Sequence, residues 1–241
     1  MSSLLVTGGT GTLGRPTVTR LVADGHEVRV LSRKPGPDRV VADLTTGAGV
    51  AAAVEGSDVV VHLATSQGRR DVEQIRNLLD AAKGVQHLIF VSIAGIDRIP
   101  LAYYRYKLES ERLVAASGVP YTVLRATQFH NLVDRVFSAQ RFSPVLLAPT
   151  ITLQPISVDE VAVRLAELVA APPVDGHAAD IAGPERLPAR ELARQWKQAR
   201  PSRRPVLPVR VPGKTFRAFA AGAATVDGPA YGRITFAEYL R

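Results

Sequence analysis

Cysteine is absent from all 241 residues, which excludes disulfides, thiolate metal sites and a thiol nucleophile. Histidine is sparse, and His26, His62, His87, His130 and His177 show no paired metal-ligand spacing, so no metal is expected. No apolar run approaches the roughly 20 residues that cross a bilayer as a helix. The opening Met1-Ser2-Ser3-Leu4-Leu5-Val6 lacks the charged start and long apolar stretch of a signal peptide, so a cytoplasmic protein without a membrane partner is expected. Acidic residues are outnumbered, 22 Asp and Glu against 30 Lys and Arg, for a formal charge of +8. The excess lies late, from Arg186, Arg190 and Arg194 to Arg210, Lys214 and Arg217, without the interleaved aromatics of a single-strand platform. Nucleic acid is therefore not the expected partner; the charge reads as a solvated face or as attraction for an anionic small molecule.

What is present is an alternation of short β-branched runs with longer helical patterns, the pattern of βαβ units and a parallel sheet. Strands are predicted over 4–7, 27–31, 58–63, 87–92 and 121–124, each nearly continuous in apolar residues, as strands covered on both faces are. Helices are predicted over 13–24, 49–54, 71–83 and 102–117, with Gly25, Gly84 and Gly118 placed to end three of them in a left-handed conformation. Past Arg125 the pattern loosens into helices over 128–140, 158–170 and 188–199, an extended stretch over 201–212 and a closing helix near 234–240. The fold class read from this is α/β, a Rossmann-type doubly wound parallel sheet over 1–126, with 127–241 a smaller substrate-side lobe on the same domain.

The first strand runs directly into Thr7-Gly8-Gly9-Thr10-Gly11-Thr12-Leu13-Gly14 and then a helix. Glycines three apart at that junction let backbone approach a pyrophosphate and aim free N–H groups and the positive helix end at it. An acid at the end of the second strand would hold a ribose 2′-hydroxyl and repel a phosphate; Ser32, Arg33 and Lys34 stand there instead. These donors and cations suit a 2′-phosphate, which predicts NADP(H) over NAD(H), although basic residues after a strand also serve as plain surface charge.

With this turn, Leu31-Ser32-Arg33-Lys34, Ala42-Asp43-Leu44, Val61-His62-Leu63-Ala64-Thr65, Val91-Ser92, Tyr103 with Lys107, and Pro120-Tyr121-Thr122-Val123-Leu124-Arg125, the chain resembles the short-chain dehydrogenase/reductase superfamily, specifically its atypical NmrA-like NAD(P)H-binding branch. The resemblance implies that Asp43 and Leu44 flank the adenine, that Ala64, Thr65 and Ser66 line the path to the nicotinamide ribose, and that Ala126, Thr127, Gln128 and Phe129 lie near the nicotinamide.

Tyr103 and Lys107 are four apart in a helical stretch and so share a face. An ammonium beside a phenol favours the phenolate and would bring the tyrosine toward the working range. In the superfamily such a pair reduces carbonyls together with a serine at the end of the fourth strand, here Ser92, and the lysine also binds the nicotinamide ribose. The expected activity is NADPH-dependent reduction of a small carbonyl or quinone-like substrate. The alternative is a non-catalytic NADP(H)-binding redox sensor, since branch members keep the fold without a working tyrosine. Tyr104 and Tyr106 fit core packing or a homodimer contact equally well. Ser92 also fits a strand-end turn, and His130 fits a satisfied structural histidine as well as a proton donor. Ser157 is expected to cap the helix that Asp159 and Glu160 begin.

Overall fold

The computed structural model describes residues 2–200 and 202–241; Met1 and Pro201 lie outside the described residues. The chain runs β1 (Ser3–Thr7), α1 (Gly14–Ala23), β2 (Glu27–Ser32), β3 (Arg39–Val41), α2 (Val50–Val54), β4 (Val59–His62), α3 (Arg70–Ala81), β5 (His87–Ile93), α4 (Ala102–Ala115) and β6 (Tyr121–Ala126). It continues with α5 (His130–Ser138), β7 (Leu146–Pro149), β8 (Thr152–Leu153), α6 (Val158–Ala170), β9 (Gly176–His177), β10 (Leu187–Pro188), α7 (Ala189–Ala199), β11 (Val206–Val209), α8 (Lys214–Ala220) and α9 (Phe236–Tyr239).

Seven strands form one parallel sheet in the order β3-β2-β1-β4-β5-β6-β9. The order reverses at β1, and open α/β sheets bind their ligands past the C-terminal ends of the strands at such a reversal. Leu4, Leu5 and Val6 of β1, Val60 and Val61 of β4, and Leu88 and Ile89 of β5 are completely buried, which is why these strands read as continuous apolar runs. One layer of the core packs Leu5, Val60 and Leu88 against Ala53 of α2 and Ile75 and Leu78 of α3.

β3 and β9 escape sequence reading because each lies at an edge of the sheet, too short to carry an apolar run of its own. Gly25 and Gly118 take the left-handed conformation expected of them, with φ of 86° and 74°. Gly84 does not: α3 ends at Ala81 with Ala82 as its C-cap, so the position after the cap falls on Lys83 and Gly84 lies one residue beyond it. Ser157 caps α6 as expected, its Oγ accepting from Asp159 N at 3.2 Å.

Two compact units interleave along the chain. One comprises the chain up to Ser92, Ala102–Arg125 and Val161–Ala179; the other comprises Ile93–Leu101, Ala126–Glu160 and Asp180–Arg241. Where the sequence suggests a single cut after 126, the chain leaves the sheet-bearing unit at Ile93, returns to it for Ala102–Arg125 and returns again for Val161–Ala179. The second unit has its own core, built from Val133, Phe137, Leu146, Leu192, Trp196 and Phe236. Its β11 lies within the stretch expected to run extended, and pairs in parallel with β7. Several late cations hold this unit together: Arg200 lies 3.4 Å from Asp134, which also accepts from Trp196 Nε1 at 2.7 Å, and the Arg204 guanidinium sits 5.7 Å from the Trp196 ring centre. No helix among the described residues is long and apolar enough to cross a membrane.

Candidate active site

The turn after β1 closes on itself because it has glycine where backbone meets backbone. Gly8 has φ of 70°, and a Cβ there would lie 2.7 Å from the Ala64 nitrogen. A Cβ at Gly14 would lie 2.1 Å from the Gly8 carbonyl oxygen. Gly9 is pressed against Val30 of β2, and Gly11 N donates to the Gly8 carbonyl at 2.9 Å. This leaves Thr10, Gly11 and Thr12 exposed on the outer side while Leu13 is buried. No side chain caps α1 and no acid stands in its first turn; Arg15 N and Thr17 N donate to the Gly11 and Leu13 carbonyls and Pro16 has no N–H, so what stays open to an anion is the positive helix end with the exposed turn before it. An exposed glycine-rich backbone without a competing carboxylate fits a diphosphate.

Ser32 ends β2 beside the turn, its Oγ accepting from Lys34 N at 3.2 Å. Arg33 and Lys34 are exposed and make no ion pair among the described residues, so their charge is available to a further phosphate. Asp43 and Leu44 take different roles: the Asp43 carboxylate accepts from Thr45 N at 2.8 Å, while the Leu44 side chain is buried in the core. Asn77 of α3 fixes this loop by donating to the Leu44 carbonyl at 2.8 Å.

Past β4, Thr65 and Ser66 gather around the buried carboxylate of Asp71, in the first turn of α3. Thr65 Oγ1 donates to Asp71 Oδ2 at 2.6 Å, and Ser66 donates to Oδ1 through N at 2.5 Å and Oγ at 2.6 Å. The Tyr103 hydroxyl meets Thr65 Oγ1 at 3.2 Å. Burial holds the Tyr103 phenol above the usual tyrosine range; the Thr65 contact pulls it down and the Asp71 charge pushes it up. Burial thus outweighs the lowering expected from Lys107. Its Nζ lies 4.2 Å from the Phe90 ring centre and the residue is 5% exposed. Burial lowers Lys107 to about 8, against the opposing pull of Asp71 and Glu111. Phe90 also stacks on His62 at 5.6 Å. Ser92 lies two residues past Phe90 on the same strand, its Oγ buried with no hydrogen-bond partner among the described residues. Tyr104, one of the tyrosines expected to suit a dimer contact, is buried and packs edge-on to Tyr103.

Residues 8–172 match the family model described as NAD(P)H-binding. The chain belongs to this NAD(P)H-binding family. Its solved structural neighbours, at 20% identity or less, share its fold. A (4-alkanoyl-5-oxo-2,5-dihydrofuran-3-yl)methyl phosphate reductase from Streptomyces griseus is 30% identical over 207 residues, covering 80% of this chain and 72% of its own. Other curated relatives are longer: the chain spans 46% of a photosystem II assembly factor from Trieres chinensis. Among solved structures, an NADPH-dependent quinone oxidoreductase from Escherichia coli complexed with NADPH shares the fold with a TM-score of 0.84 at 19% identity, over 98% of both chains. Relatedness to reductases puts the chain among the oxidoreductases in general.

In this NAD(P)H-binding chain the second unit carries the remaining expected residues. Ala126 ends β6, and the buried Thr127 hydroxyl donates to the Gln154 carbonyl at 2.5 Å. Phe129 precedes α5 and bridges to Ile156. Both amide atoms of Gln128 are buried without a hydrogen-bond partner among the described residues. His130 is fully buried, its Nε2 donating to the Pro155 carbonyl at 3.0 Å and its ring against Phe236 and Tyr239. Burial lowers it to about 4, the Pro155 bond opposing, so it is a neutral structural histidine. Asp71 is the residue that sequence reasoning missed. The signal for it was an acid at a predicted helix start, just after the hydroxyls of Thr65 and Ser66.

Proposed function

We propose that the chain is an NADPH-dependent reductase of a small carbonyl or quinone-like substrate, working in the short-chain dehydrogenase manner. The observation that carries the reading is a tyrosine hydroxyl held in its protonated form past the C-terminal end of β4, hydrogen-bonded to the loop hydroxyl of Thr65. Exposed backbone between Gly8 and Gly14 would hold the diphosphate, and Arg33 with Lys34 the 2′-phosphate. A nicotinamide held there would be the source of the hydride that the carbonyl carbon receives. Tyr103 gives its proton to the carbonyl oxygen, which leaves an alcohol, and the phenol regains its proton from solvent. Ser92, with its unsatisfied buried hydroxyl, is the donor that orients that oxygen. The names of the reductase relative and of the NADPH-bound quinone oxidoreductase support both the reaction type and the cofactor.

One observation favours the sensor reading: Lys107 rests on Phe90 and makes no hydrogen bond to Tyr103. Tyr103→Phe separates the two. With NADPH and a panel of small aldehydes, ketones and quinones, the reductase loses about 10²- to 10⁴-fold in kcat while its NADPH affinity stays unchanged. A sensor turns over none of these in either form, and a variant with undiminished turnover removes Tyr103 from the mechanism.

A further inference from the structure

The loop between β4 and α3 holds a hydroxyl whose hydrogen-bonding capacity is fully assigned. Thr65 Oγ1 lies 2.6 Å from Asp71 Oδ2, 3.0 Å from Gln67 N and 3.2 Å from the Tyr103 hydroxyl. A threonine hydroxyl has one hydrogen and two lone pairs. The carboxylate only accepts, so it takes the hydrogen. The Gln67 N–H only donates, so it takes one lone pair. The third contact therefore has Tyr103 as donor and Thr65 as acceptor. The arrangement is rigid at both ends: two bonds from Ser66 clamp Asp71, and Gln67 holds a left-handed φ of 57°, a conformation costly for a residue with a side chain.

We propose that Asp71 is a positioning residue that acts through Thr65 to hold Tyr103 as a hydrogen donor and so commits the site to reduction. The proposal rests on the reading of Tyr103 as the proton donor. The acid form of Tyr103 serves reduction, whereas oxidation of an alcohol needs the phenolate as base. A carboxylate joined to the phenol through one hydroxyl opposes that phenolate, and burial adds to the effect; the downward pull of the Thr65 contact would need Thr65 as donor, and its hydrogen is held by Asp71. The charged groups facing this cluster are Asp71 from α3 and Lys107 and Glu111 from α4; His62 from β4 is neutral. Lys107, the group that would stabilise a phenolate, is turned to Phe90. When a substrate oxygen enters, it replaces Thr65 as the acceptor of a hydrogen already turned outward from α4.

The test reads the phenol directly. Phenolate absorbance near 295 nm, taken as the difference between the protein and its Tyr103→Phe variant, isolates Tyr103 from the other tyrosines; the same difference is then taken in an Asp71→Asn background. The expected result is a Tyr103 titration displaced to lower pH, with the alkaline limb of the reduction profile moving down alongside it. Thr65→Val, which leaves both Ser66 bonds to Asp71 in place, is expected to lower kcat about ten- to hundredfold with KM little changed, and Thr65→Ser to restore it. This variant keeps the proposal open to refutation should Asp71→Asn fail to fold. A phenol titration unmoved in folded Asp71→Asn, or full kcat in Thr65→Val, overturns the proposal even where Tyr103→Phe abolishes turnover. Full turnover in Tyr103→Phe instead overturns the parent reading, and the proposal with it.

Discussion

Thr7 Oγ1 lies 2.8 Å from Nδ1 of His62 on the neighbouring strand. Ala64 N donates to the same oxygen at 3.4 Å, which leaves the threonine a hydrogen and a lone pair for the ring, so the bond forms with either neutral tautomer of His62. Burial, and then the nearby Lys107 charge, lower His62 to about 3. Because the unfolded histidine titrates near 6.5, the unfolded chain binds a proton between these values that the folded chain refuses. Stability is therefore full above pH 6.5 and falls as pH drops toward 3. Urea unfolding at pH 6.5 and 5 should show a loss of roughly 2 kcal/mol from this residue alone, absent in His62→Gln. Lys107→Met should move the His62 titration upward, read by NMR of the ring.

The glycine turn predicts a contrast between two alanine substitutions. At Gly14 the new Cβ would lie 2.1 Å from a backbone oxygen, so the turn must open; Gly14→Ala should cost about 3 kcal/mol and abolish NADPH binding. At Gly25 nothing lies within 4 Å and only the left-handed φ of 86° resists. Gly25→Ala should cost about 1 kcal/mol and leave nucleotide affinity intact. Denaturant midpoints and a fluorescence titration with NADPH check both, and equal effects from the two would refute the assignment of the turn.

In the proposed reading, cofactor choice rests on charge past β2. Replacing Arg33 and Lys34 with glutamate should weaken NADPH by roughly thirtyfold, about 2 kcal/mol, and leave NADH unchanged. Calorimetry with both nucleotides decides it. Equal weakening of the two would mean that these cations serve general attraction and not the 2′-phosphate.

Legibility followed burial. The five inner strands were readable because residues such as Leu5, Val60 and Leu88 are covered on both faces and must be apolar without interruption. β3 and β9 have an edge position that imposes no such rule. The turn at Gly8 and Gly14 was readable for the opposite reason: its constraint is local, and only glycine satisfies it. Tyr103 and Lys107 were readable as a pair on one helix face, yet their partnership was not. One side chain went to Thr65 and the other to Phe90.

By itself the sequence determined the parallel sheet, the glycine turn after β1 and the absence of an acid after β2, because each follows from spacing along the chain or from the solvation of a strand. Only the tertiary structure decided which hydrogen each hydroxyl carries and where the charges of Asp71 and Lys107 act. Those depend on contacts such as Thr65 with Tyr103, 38 residues apart, which form when helices bury against the sheet and each polar group left without water must take whatever partner the packing brings.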